Sequence, residues 1–267
     1  MTTQGHDPAA AALTYTSYLG LDDVLAAQRP RSDEHDELLF IVVHQVYELW
    51  FKQMLHEAAH LQRRLEAGDT AHALHTLGRL LGILKVVVAQ VDVLETMTPR
   101  QFLGFRHRLD AASGFQSLQF RELEAVLGRR DPAIAAHHPA NAARDRLDAA
   151  QRRAPLYASF LDYLAGQGYD VPAAALHHDV RVERPPDPAV QEVLLAVYRD
   201  DGGAAMVAER LVDLDEGVQE WRYRHVKMVE RTIGTRTGTG GSAGTAYLRT
   251  TLFAPVFPDL WAIRSAL

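Results

Sequence analysis

The sequence predicts an all-α fold, a helical bundle in one domain spanning residues 1–267. Apolar residues recur at spacings of three and four over most of the chain, the repeat of one helix face. Period-two alternation, the mark of a half-buried strand, is nearly absent. Composition agrees, because 47% hydrophobic and 23% charged residues give an ordinary globular balance with enough apolar material for a core.

The helical pattern covers residues 14–28, 33–66, 70–97, 99–109, 115–128, 147–167, 188–200, 204–233 and 245–266. Ser32 followed by Asp33 and Glu34 suggests a cap for the second helix, and Asp69–Thr70 a start for the third. Pro99 suits the first turn of the fourth, where a missing N–H costs nothing. Two stretches interrupt the pattern, Arg129 to Pro139 and Val182 to Pro188, and both read as loops inside one domain.

The second helix is too apolar for a surface helix, and Leu38 to Val43 is apolar on every side, which predicts burial in a bundle. Phe40, His44, Tyr47, Phe51, Met54, Ala58 and Leu61 follow one another at spacings of four and three. A histidine therefore sits within an apolar stripe, where its nitrogens require partners. The 204–233 helix repeats the arrangement with Leu211, Leu214, Val218, Trp221, His225, Met228 and Thr232. Its charged residues, Asp213, Asp215, Glu216 and Glu220 among them, fall on other faces. One such histidine is ordinarily a core residue bonded to a backbone carbonyl. Two on separate long helices point instead to a cofactor between facing helices, with imidazole as an axial ligand of haem iron. Spacing alone leaves open whether one histidine ligates or both.

Other classes are excluded or weak. The chain has no cysteine, which removes disulfides, thiolate metal sites and cysteine nucleophiles. A formal charge of −6 gives no basic footprint for nucleic acid. No apolar run approaches a membrane span and no secretory signal is visible, so the expected compartment is the cytoplasm. His56, Glu57 and His60 match the HExxH zinc pattern, but LQRRLEAGD follows without a third histidine ligand. The stretch TGTGGSAG from Thr237 to Gly244 lacks the lysine of a phosphate-binding loop, although its glycines allow close approach to an anionic group. Arg106, at a helix end, has the side chain best suited to grip a carboxylate through two parallel hydrogen bonds.

Five blocks occur in order along the chain: HDELLFIVVHQVYELWFKQMLHE, LETMTPRQFLGFR, SGFQSLQFR, WRYRHVKMVER and GTGGSAG. Together with the opening TYTSYLGLDDVLAAQ they resemble the tryptophan 2,3-dioxygenase family, most weakly between about 129 and 205. The resemblance implies an all-helical homotetramer that binds haem b and uses O2 to open the indole ring of L-tryptophan between C2 and C3, giving N-formyl-L-kynurenine. It implies His225 as the haem iron ligand and His44 as the distal residue that accepts from the indole N–H. Phe40 and Phe102 would line the indole pocket, Arg106 would hold the substrate carboxylate and Thr239 would contact the amino-acid end. Ser113 and Gly114 would lie over the haem face. Tyr15, Tyr18 and Leu19, in an N-terminal segment of about 8–30, would reach a neighbouring subunit's pocket.

The chain departs from the family pattern at Ala243, Thr245 and Glu230. The loop changes keep open a haem monooxygenase of the same superfamily that inserts one oxygen into tryptophan or a substituted tryptophan. A bis-histidine electron carrier using His44 and His225 is the non-enzymatic alternative, and it leaves Arg106 and the glycine stretch unused.

Overall fold

The computed structural model describes residues 12–110, 112–131, 141–236, 238 and 248–267. Thr239, Ala243, Thr245 and the rest of the 239–247 stretch lie outside the described residues, as do 1–11, 111, 132–140 and 237. The described residues form helices and no strand, as predicted.

The N-terminal helix is two short ones, α1 (Tyr15–Leu19) and α2 (Leu21–Leu25), because Gly20 turns left-handed at φ 58° between them. Helix α3 runs His35–Glu66. Ser32 does not cap it in the predicted way. Glu37, one turn inside, reaches back instead and accepts from Arg31 N at 2.9 Å, Ser32 N at 2.8 Å and Ser32 Oγ at 2.5 Å. Those bonds hold the Glu37 carboxylate below its usual pKa against the opposing effect of burial. Helix α4 (Thr70–Leu94) starts at Asp69, which accepts from His72 N at 3.2 Å. Helix α5 (Pro99–Arg106) has Pro99 in its first turn and a capping box between Thr98 and Gln101.

A 3-10 turn at Gly114–Gln116 leads into α6 (Leu118–Val126). The predicted 147–167 helix is two, α7 (Ala142–Gln151) and α8 (Leu156–Gly166). Pro155 separates them, since proline removes a helix donor and restricts Ala154 before it. A short α9 (Ala173–Leu176) has no sequence signal, whereas α10 (Pro188–Asp200) has the predicted bounds. Helix α11 covers Gly203–Ile233. Of the predicted 245–266 helix, the described residues are helical at 248–249, in α12 (Pro258–Ala262) and in a closing 3-10 turn, with a break between in which Phe253 stands at φ 56°.

Helix α4 lies between α3 and α11, and α3 also packs on α8, α6 and α5. The predicted α3 stripe is buried through Tyr47, Phe51, Met54, Ala58 and Leu61. Each fully buried large apolar side chain contributes about 1.5–3 kcal/mol relative to exposure. Tyr47 Oη donates to Val87 O at 3.1 Å and Gln90 Nε2 to Val43 O at 2.7 Å, which fixes α3 against α4 beside His44. On the other side α11 comes so close to α4 that a Cβ at Gly217 would stand 2.6 Å from Leu84 Cδ2.

One sequence expectation fails here, and one charged residue off the apolar stripe is buried. Leu38 and Val42 are 49% and 39% exposed rather than buried, because the face of α3 opposite the core is uncovered among the described residues. Asp215 does not face solvent. It is fully buried, and its Oδ2 accepts from Val256 N, Phe257 N and Trp261 Nε1 at 2.7, 2.8 and 2.9 Å. Those bonds pin the C-terminal segment to α11. Glu230, one of the departures, ties Arg249 to the same helix through Nε at 2.8 Å.

Candidate functional site

A cavity of about 260 Å³ is lined by residues of α3, α4 and α11. Val91 and Leu94 of α4 line it, α5 and the 3-10 turn lie along one margin, and α6 contributes Phe120, Arg121 and Glu124. His44 from α3 and His225 from α11 both reach it, so the two histidine stripes do face one space.

Their environments differ. His44 Nδ1 lies 2.7 Å from Phe40 O. A carbonyl only accepts, so Nδ1 carries the proton and Nε2 keeps a lone pair. Burial pushes the His44 pKa below the ordinary 6.5, with the Phe40 carbonyl and Glu48 opposing, which keeps the ring neutral near pH 7. His225 has no hydrogen-bond partner among the described residues. It is enclosed by protein, but part of its ring remains open on the cavity side. Burial lowers its pKa to about 4, and the nearby His44 and Arg121 add to the effect. A neutral, unpartnered imidazole facing a cavity is a ready metal ligand.

Phe102 and Arg106, three and seven residues past Pro99 on α5, line the cavity, as do Ser113 and Gly114. Ser113 Oγ accepts from Phe115 N at 3.3 Å and so caps the 3-10 turn. A Cβ built at Gly114 would meet nothing within 4 Å, leaving room beside the turn for a bound group. Phe40 is not a wall of the cavity. It backs His44 instead, ring to ring at 4.1 Å, and packs on Phe102 and Phe105 at 5.7 and 5.5 Å. Tyr15, Tyr18 and Leu19 on α1 stand 75%, 71% and 43% exposed and do not reach this chain's cavity.

Sequence reasoning missed a buried ion pair in the wall. Arg121 Nη1 donates to Glu124 Oε2 at 2.5 Å, Nε donates to Phe115 O at 3.2 Å, and the guanidinium lies 4.3 Å over the Phe115 ring. The three-residue spacing of Arg and Glu in LQFRELEAV was a signal for it, but burial was not visible. The HExxH residues do not converge. Glu57 is buried and bonded to Gln53 at 2.7 Å and Arg79 at 3.2 Å, while His60 accepts from Arg64 Nε at 3.3 Å. Among the described residues no three His, Asp or Glu side chains are grouped to hold a metal ion.

The residues present suit a planar group with an apolar body, an iron centre and anionic edges. One unpartnered imidazole is available as a ligand, a second faces the same space, aromatic rings line it, and Arg106, Arg121 and Arg222 border it. Fold and site thus define, among the described residues, an all-helical protein with one pocket lined by two histidines, aromatic rings and arginines.

A family profile described as tryptophan 2,3-dioxygenase matches residues 1–153 and 175–267. The unmatched part falls inside the stretch where the sequence resemblance is weakest. A protein named tryptophan 2,3-dioxygenase from Anaeromyxobacter sp. (strain K) is 66% identical over 264 residues, 98% of this chain and 99% of its own. Proteins of the same name from Herpetosiphon aurantiacus and Caulobacter vibrioides are 57% and 44% identical, each over at least 96% of this chain and 99% or more of their own. The chain belongs to the tryptophan 2,3-dioxygenase family.

Proposed function

We propose that this chain catalyses the oxidative opening of the indole ring of L-tryptophan by O2, between C2 and C3, to N-formyl-L-kynurenine. The observation that carries the reading is one cavity with a histidine on each of two opposing helices and Arg106 at its edge, in a chain 66% identical to a protein named for this reaction. His225 would hold the iron of haem b, and when bound the haem supplies the redox chemistry that activates dioxygen. The protein's own work is orientation. His44, protonated on Nδ1, accepts the indole N–H on Nε2. Arg106 grips the carboxylate, and with both ends of the substrate fixed, the C2–C3 edge is presented in one pose. Phe102 would pack on the ring, Phe40 holds His44 from behind, and Ser113 and Gly114, which line the cavity, would help hold the haem. Thr239, outside the described residues, takes the amino-acid end.

The working form in this reading is a homotetramer of single-domain chains. The exposed Tyr15, Tyr18 and Leu19, in the segment of about 8–30, then complete a neighbour's pocket, and the uncovered Leu38 and Val42 lie under a subunit contact. No helix of the described residues is long and apolar enough to cross a membrane.

Mass spectrometry of the product made from L-tryptophan and labelled dioxygen tests the reaction. Two labelled atoms in a ring-opened product are expected. One labelled atom in a product with the ring intact would replace this reading with the monooxygenase of the same superfamily.

A further inference from the structure

The imidazole of His225 is oriented without a polar partner. Histidines that bind metals usually donate their second N–H to a carboxylate or carbonyl, which sets ring rotation and basicity. No such partner exists for His225 among the described residues. What touches its face is Trp221, one helical turn earlier, with ring centroids 5.3 Å apart and planes only 5° from parallel. The indole is itself held, by Phe120 at 4.9 Å and edge-on by Phe51 at 6.4 Å. Its Nε1 is buried and unpaired. The nearest acceptor is the Tyr47 hydroxyl, whose own proton goes to Val87 O, and it stands outside good hydrogen-bond geometry with the indole N–H. Leaving an indole N–H unpaired costs free energy, about 1–3 kcal/mol for a buried donor.

We propose that Trp221 is the positioning residue of the proximal ligand: its indole, clamped by Phe51 and Phe120, fixes the rotation of the His225 imidazole by parallel stacking. This rests on the reading of His225 as the haem ligand. Ring rotation and the absence of a hydrogen-bonded partner together set how strongly the imidazole donates to iron. On α3 the ring one turn earlier, Phe40, lies 4.1 Å from His44 but is tilted by 39°, and a backbone carbonyl fixes that imidazole.

Trp221→Phe and Trp221→Met test it, because the two replacements have similar volume and only one is flat. The purified ferrous proteins are compared by resonance Raman spectroscopy of the iron–histidine band and by the ferric/ferrous midpoint potential. Trp221→Phe is expected to keep the band close to that of the unaltered chain. Trp221→Met should bind haem with a shifted and broadened band and a displaced potential. Identical bands and potentials in both variants would overturn the proposal while leaving the ligand assignment standing. An unaltered chain with haem bound but no iron–histidine band would defeat the ligand assignment itself, and the proposal with it. Should Trp221→Met not fold, Trp221→Leu with added L-tryptophan to stabilise it reads the same band.

Discussion

Helices α3 and α11 look alike in sequence and differ in structure. Each is more than thirty residues long and each carries one histidine in an apolar stripe. His44 is bound to its own helix through Phe40 O, so one nitrogen is occupied and the other is an acceptor. His225 has neither nitrogen partnered among the described residues and relies on a stacked indole. The anchoring of the helices differs too. Near its histidine α3 is tied to α4 by Tyr47 and Gln90, whereas α11 gathers the C-terminal segment onto Asp215 and Arg222. The lesson is that a histidine's role follows from what its second nitrogen does. His44, fixed by a carbonyl, presents one nitrogen as an acceptor, and His225, held by ring stacking alone, departs from the usual hydrogen-bonded arrangement of a metal-binding histidine.

Three substitutions press on that contrast. His225→Ala has the largest expected effect, loss of stoichiometric haem from the purified protein. Full haem content with an unchanged spectrum would move the ligand elsewhere. Arg106→Ala comes next. Removing a charged hydrogen-bonding partner costs roughly 1.5–3 kcal/mol, or ~10- to 150-fold in kcat/KM, carried mainly by KM. Steady-state kinetics with unchanged KM and kcat would remove Arg106 from the substrate site.

His44→Ala has the smallest effect, because a neutral hydrogen bond is worth about 0.5–1.5 kcal/mol, or ~2- to 13-fold in kcat/KM. Haem content should not fall, in direct opposition to His225→Ala. The same residue predicts a pH dependence. Its folded pKa lies below 6.5, so kcat/KM holds near neutrality and falls as acid protonates Nε2 and turns the acceptor into a donor. Stability shifts in the same direction. The unfolded chain takes up this proton from pH 6.5 downward while the folded one resists, so folding weakens on acidification. A kcat/KM profile in which the acid limb is unchanged by His44→Ala would assign that limb to another group.

Much of this was legible in the sequence, and the failures have physical causes. The three long helices follow from periodicity, and α10 even keeps its predicted bounds because Asp187 caps it and Pro188 fits its first turn. Periodicity reports which residues share a face but not what lies across from it. The burial of Asp215 was not readable because the three donors to its Oδ2 are 41 to 46 residues away. Leu38 and Val42 looked like core, yet nothing in a single chain's described residues covers them. Pro155 marks a break inside the predicted 147–167 helix, because its ring cannot donate to a continuing helix. At the site, His44, Phe102, Arg106, Ser113, Gly114 and His225 do gather at one cavity, whereas the pairing of Arg121 with Glu124 and the unpaired Trp221 N–H emerge only from the packing.

The contrast between the two histidines is tested most directly by the resonance Raman spectrum of the ferrous, substrate-free protein. A five-coordinate spectrum with an iron–histidine band is expected, retained in His44→Ala and absent in His225→Ala. A six-coordinate low-spin spectrum that becomes five-coordinate in His44→Ala would make both histidines ligands and contradict the account.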